Sequence, residues 1–131
     1  GESPPISMMQ GNCVFTSNQT SLSDQRLKTD VNELDSGLLL DFCNSLSPNM
    51  YSRIDLTPQP RLGLIAQDVE AALETHALPK SPFINKLYQA LEDDGEIEEL
   101  LGLDYSRLSV CLLGAVKELT NRITQLESQV Q

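Results

Sequence analysis

The sequence predicts an α+β fold: a small mixed domain with a short hairpin or sheet, several helices and a long C-terminal helix. Three observations carry this. Apolar residues from Leu112 to Val130 recur in alternating steps of four and three, the signature of a coiled-coil helix. Two strand-like runs, 50–56 and 61–65, flank Thr57-Pro58-Gln59-Pro60, a turn that two prolines keep out of a ladder. An amphipathic stripe at 34–46 and a stretch from Gln67 with acidic residues in its first turn supply shorter helices.

Composition bounds the rest. With 131 residues, 40% of them hydrophobic but only 5% aromatic, the chain can bury one modest core. A net charge of −10 excludes nucleic acid and anionic membrane as partners, since both require a basic footprint. Cys13, Cys43 and Cys111 are odd in number, lack C-x-x-C spacing and sit among apolar residues. Buried free thiols made in a reducing compartment are expected. No run of 18 apolar residues exists, and the N-terminus lacks a basic segment followed by an apolar one. A soluble chain without a secretion signal of its own is expected.

In chain order, Gly1 to Gln10 reads as a linker to further protein upstream, since Pro4-Pro5 cannot join a sheet interior. Cys13-Val14-Phe15-Thr16 is a short strand candidate, followed by a polar approach, Ser17 to Ser21. Then come Leu22 and Ser23, with Lys28 five residues beyond the serine. A serine hydroxyl needs a base to become a nucleophile, and a lysine amine serves once desolvation or nearby positive charge disfavours its proton. Five residues is not a same-face helical spacing. The pair therefore works only if Ser23 lies outside the helix, with Ser23 or Asp24 as N-cap and helix from Gln25. The plain alternative is that Ser23-Asp24 does no more than cap.

Leu34 to Leu46 is a helical stripe stopped by Ser47-Pro48. Gly63, inside the second strand of the hairpin, signals either close approach of backbone or of a neighbouring chain, or simple packing. A helix starting at Gln67 carries acidic residues in its first turn, where the macrodipole favours them. Gln67 can donate to an oxyanion, hold the Ser23-Lys28 pair, or merely bond the backbone. His76, the one histidine, ends that helix as a solvent-facing or dipole-facing group, and no partners for a metal site stand near it in sequence. Residues 77–102 are least legible: prolines 79 and 82 mark a loop, and 83–91 reads as a short helix. The acidic run 92–96 fails as a calcium loop. With Gly95 at the sixth position, the first and twelfth positions are Ala90 and Leu101, neither of which offers a carboxylate. No metal and no cofactor are expected.

In the terminal heptads Val116, Ile123 and Val130 take position a, and Leu112, Leu119 and Leu126 take position d. Arg122 at g and Glu127 at the following e suit a parallel pairing between helices. A helix packed only on its own domain needs a wider apolar face than this, so self-association is expected. β-Branched a with Leu d leans toward dimers, though fewer than three heptads is too short a seam to fix the number.

Three blocks together, Ser23-Asp24-x-Arg26-Leu27-Lys28, Gly63-Leu64-Ile65-Ala66-Gln67-Asp68-Val69 and Leu103-Asp104-Tyr105-x-x-Leu108 ahead of the heptad helix, resemble the C-terminal intramolecular chaperone domain of phage endosialidase tailspikes and tail fibres. The self-cleaving segment of the myelin regulatory factor type of transcription factor belongs to the same family. The resemblance implies a chaperone that trimerises and folds an upstream parent chain, then releases itself as a serine peptidase acting once, in cis, between Leu22 and Ser23. It implies catalytic Ser23 and Lys28 and a homotrimer, which would be parallel on the Leu112 to Val130 seam; Asp24 and Gln67 are the candidates for a supporting role, read from their own positions. Residues 1–22 would be the parent's end and leader and residues 23–131 the chaperone, with 104–131 as its coiled-coil helix. The chain would be made in the host cytoplasm, its parent in the virion tail or fibre. The alternative is a trimerisation cap or adhesive fibre tip that is never cleaved.

Overall fold

Among the described residues, three helices and two antiparallel hairpins follow one another; the helices at 36–44, 66–75 and 105–130 and the first hairpin stand where expected, and the second hairpin does not. A computed structural model describes residues 20–90 and 97–130. The expected strand at Cys13 to Thr16, the thiol of Cys13 and the acidic run 92–96 lie outside the described residues. The chain divides between Asn32 and Glu33 into two units. Described residues of the first hold a single 3₁₀ turn, Gln25–Leu27. The second contains α1 (Ser36–Asn44), β1 (Asn49–Tyr51), β2 (Arg61–Gly63), α2 (Ala66–Thr75), β3 (Ile84–Ala90), β4 (Ile97–Leu103) and α3 (Tyr105–Val130).

Helix α1 starts where the Asp35 carboxylate accepts the Gly37 backbone N–H at 3.0 Å, satisfying one orphan donor of the first turn. It ends where Ser45 turns its hydroxyl onto the Phe42 carbonyl at 2.6 Å. Leu39, Leu40 and Phe42 are its buried residues, and α1 packs against the first half of α3. Contact there is close enough that a Cβ on Gly114 would lie 2.3 Å from a Leu39 methyl, so the crossing requires glycine. Phe42 and Leu73, both with no exposed surface, and Cys111 at 1% join Val69 and Phe83 in one core. The Phe42 ring meets Phe83 at 6.1 Å between centroids and the edge of His76 at 5.9 Å.

Helix α2 closes with the Leu78 N–H on the Leu73 carbonyl and the Ala77 N–H on that of Glu74, a Schellman arrangement. Ala77 bears the left-handed φ of 54° that this motif demands. His76 sits at its C-cap, half-buried, with Nδ1 2.8 Å from the Ala72 carbonyl, so it serves the helix terminus as one of its expected roles had it.

The first hairpin pairs Asn49 with Gly63 and Tyr51 with Arg61, shorter than the runs that predicted it. The second overturns an expectation: 83–91 is no helix, because Ile84–Ala90 pairs antiparallel with Ile97–Leu103, from Ile84 opposite Leu103 to Ala90 opposite Ile97. Apolar residues at 83, 84, 87 and 88 mimic helical spacing, but side-chain pairs across the ladder with 97–103 favour the strand. Asp104 follows directly, its backbone N–H on the Phe83 carbonyl. Its carboxylate accepts the N–H groups of Ser106 at 3.0 Å and Arg107 at 3.3 Å, capping α3.

Helix α3 has two apolar faces. Leu108, Cys111 and Ala115 turn into the core, and their face is the one the heptad reading did not register. The a and d residues are uncovered along the whole helix, from 46% exposed at Leu119 to 86% at Val130. Within the single chain Arg122 donates to Glu118 at 2.9 Å, and Glu118 also accepts the Ser36 hydroxyl at 2.8 Å, tying the start of α1 to α3.

Candidate active site

Around Ser23 the sequence allows one tight turn and little more. Asp24 has extended backbone (φ −70°, ψ 132°) and its carboxylate accepts the Arg26 backbone N–H at 2.9 Å, so Asp24, not Ser23, is the cap. The turn closes with the Leu27 N–H on the Asp24 carbonyl at 3.0 Å and the Lys28 N–H on that of Gln25 at 3.1 Å. Lys28 then leaves in extended conformation. The expected helix from Gln25 is therefore this one turn. That brevity creates the site: residues five apart on an α-helix diverge by about 140°, whereas here both flank a single 3₁₀ turn and the Lys28 side chain returns to Ser23. Lys28 Nζ donates to Ser23 Oγ at 2.6 Å. With the amine neutral the same contact runs the other way and takes the serine proton.

Asp24 and Arg26 lock the turn. Arg26 Nε reaches Oδ1 of Asp24 at 3.1 Å and Nη2 reaches Oδ2 at 2.9 Å, a fork on one carboxylate. The guanidinium first, then the Arg26 backbone N–H, hold the Asp24 carboxyl below its usual range. Among the described residues of this unit none is buried, and the Leu22 side chain is 87% exposed. The sequence reading did not single out Arg26 for the site; the Asp-x-Arg spacing across a capped turn was the available signal.

Gln67 belongs to the second unit, exposed on the first turn of α2, where it lines a cleft of about 610 Å³ together with Tyr51, Arg53 and Tyr105. Nearby, two of the sequence blocks meet: the Tyr105 hydroxyl accepts the Leu64 backbone N–H at 2.9 Å. A Cβ on Gly63 would stand 2.6 Å from that hydroxyl, so side chains of the same chain pack on this glycine, the packing alternative of the two. Burial raises the thiols of half-buried Cys43 and buried Cys111 above their usual range, which disfavours the reactive thiolate at both. Among the described residues no group of three His, Cys, Asp or Glu side chains could hold a metal ion, and no helix is long and apolar enough to cross a membrane.

Comparison with known proteins returns the family that the three blocks resemble. Residues 23–78, beginning at the serine itself, match the model of a peptidase family described as chaperone of endosialidase. A solved structure, the carboxy-terminal domain of the bacteriophage T5 L-shaped tail fibre with its intramolecular chaperone domain, superposes with a TM-score of 0.54 at 16% identity. That match covers 90% of this chain and 34% of the fibre structure, so this chain spans about a third of its length. At this identity the likeness is one of fold. A search among curated proteins finds no match.

Proposed function

We propose that this chain, which carries an endosialidase-chaperone segment at 23–78, is an intramolecular chaperone that assembles and folds an upstream fibre or tailspike chain and then frees itself by cutting between Leu22 and Ser23. The observation that carries the proposal is the 2.6 Å contact between Ser23 Oγ and Lys28 Nζ at the first residue of that segment. Lys28 withdraws the hydroxyl proton, and Ser23 Oγ attacks the Leu22 carbonyl carbon. The C–N bond breaks as the proton passes to the departing Ser23 amine, leaving an ester between Leu22 and the Ser23 side chain that water hydrolyses. Asp24 supports the pair through the turn. Gln67, on the first turn of α2, is the candidate oxyanion donor.

Assembly rests on the uncovered seam, with Leu112, Val116, Leu119, Ile123, Leu126 and Val130 exposed in a row. Covering it against two further copies makes a parallel homotrimer, whose coil sets three parent chains in register. In this reading residues 1–22 are parent and leader, residues 23–131 the chaperone, with synthesis in the host cytoplasm and the parent in the virion tail. A second reading, a cap that is never cleaved, draws on the openness of Ser23 and Lys28 to water in the single chain, because a base for serine works best when sheltered.

The mass of the purified product decides. Loss of residues 1–22 from wild type, with Ser23→Ala, Lys28→Ala and Lys28→Arg all intact and equally associated, is the expected result, since a guanidinium keeps its proton. A full-length wild-type mass, or undiminished cleavage in any of the three variants, removes the mechanism.

A further inference from the structure

Between the two proposed catalytic residues, the turn holds a carboxylate, Asp24, four residues from Lys28, yet both of its oxygens are engaged elsewhere. Oδ1 of Asp24 takes the backbone N–H and Nε of Arg26, and Oδ2 takes Nη2. Among the described residues no carboxylate lies within ion-pair distance of Lys28, whose side-chain partner is Ser23. The charged groups of residues 20–32 are Asp24, Arg26, Lys28 and Asp30 alone. Asp30, two residues beyond Lys28 and with a left-handed φ of 53°, makes no ion pair with it.

We infer that Arg26 is a positioning residue that sequesters the Asp24 carboxylate, so that Asp24 caps the turn without pairing with Lys28 and holding it in its protonated form. The inference rests on the self-cleavage reading. Its chemistry is simple. A carboxylate beside an ammonium favours the charged amine, and a charged amine cannot accept the serine proton. The turn nevertheless needs a short acceptor at position 24, and Asp supplies the fork that fits a guanidinium. Arg26 permits the cap and removes its electrostatic side effect. A lysine at 26 would be a poorer guard, because an ammonium is a point donor that cannot occupy both oxygens at once.

The test is the pH dependence of cleavage in full-length chains, pulse-labelled in cell-free synthesis and transferred to buffers from about pH 6 to 10, with circular dichroism as a check on folding. Arg26→Gln frees Asp24. Its cleavage at neutral pH is expected to fall about tenfold and the profile to move about one unit to higher pH, one unit being a factor of ten in the active form; at alkaline pH the rate recovers. Asp24→Asn combined with Arg26→Gln leaves no carboxylate to guard, and the midpoint returns to that of wild type even where the looser turn lowers the rate. Arg26→Lys falls between. If Arg26 merely stiffened the turn, Arg26→Gln would be slower by one factor at every pH, and parallel profiles would overturn the inference while leaving the Ser23-Lys28 mechanism in place. A double variant that keeps the raised midpoint would overturn it as well. Wild type that never cleaves would sink both.

Discussion

The segment around Ser23 and the core around Phe42 are held by opposite means. Described residues of the first unit bury nothing; one capped turn, a two-toothed ion pair and a Ser-Lys contact define its shape, all within six residues. The core has no ion pair in it and joins residues from 39 to 111 through apolar contact. Exposed polar contacts are individually weak, about 0–1 kcal/mol for an ion pair, whereas a buried phenylalanine contributes about 1.5–3 kcal/mol by transfer alone. The lesson is a division of labour. Stability resides away from the proposed site, and the segment that holds it can change its neighbours without endangering the fold.

The widest gap between the two regions is expected from truncation. Phe42→Ala should cost about 3–5 kcal/mol in denaturant unfolding, since it vacates a site shared with Phe83 and His76. Ser23→Ala or Lys28→Ala should leave the unfolding midpoint where it is. A dyad variant as damaging as the core variant would erase the distinction.

Next in size, Leu119→Asp with Ile123→Asp places two charges in the proposed seam, each costing several kcal/mol if buried. Sedimentation should show single chains with an intact circular dichroism signal, because neither residue touches the core face of α3. If those chains still cleave at the normal rate, the segment completes its site alone; loss of cleavage would show that the exposed pair requires cover from another copy.

A smaller effect is expected at Gly63→Ala, about 1–3 kcal/mol, as the new methyl displaces the Tyr105 hydroxyl from the Leu64 N–H. Adding Tyr105→Phe should return part of the loss; full additivity of the two changes in thermal unfolding would mean they do not meet. The smallest effect lies at Glu118, whose carboxyl is held below its usual range by Arg122 first and Ser36 second. A depressed folded value stabilises above the unfolded one, so this contribution is present at neutral pH and lost as pH falls through and below the ordinary carboxylate range. Glu118→Gln should therefore show a shallower drop in unfolding temperature across that acid range than wild type.

What the sequence made legible follows the reach of each interaction. The terminal helix and α1 announce themselves through periodicity and α2 through the acidic residues of its first turn, whereas the Ser23-Lys28 pair, weak as a spacing, stands out only through the resemblance of the block that contains it. Strand β3 was hidden because its partner lies across residues whose own pattern is weak, and Lys86, Leu87 and Gln89 are good helix formers locally. Leu108, Cys111 and Ala115 were masked by the louder heptad on the other side of the same helix. Arg26 escaped notice because an Asp-x-Arg fork has no periodicity at all; only the folded turn brings its two ends together.

The second hairpin touches the core only at its base. Ile84 and Leu103 pack there, beside buried Phe83, while farther out Leu87, Tyr88 and Ile97 are 54%, 66% and 72% exposed. Cross-strand contacts such as the Lys86 ion pair with Glu99 at 3.7 Å keep the outer rungs in register without reference to the rest of the domain. Seven residues per arm extend about 23 Å. Rungs can therefore be added or deleted in pairs, two residues per arm, with every base side chain still facing as before. Such a finger can lengthen or shorten while the helices beneath stay the same.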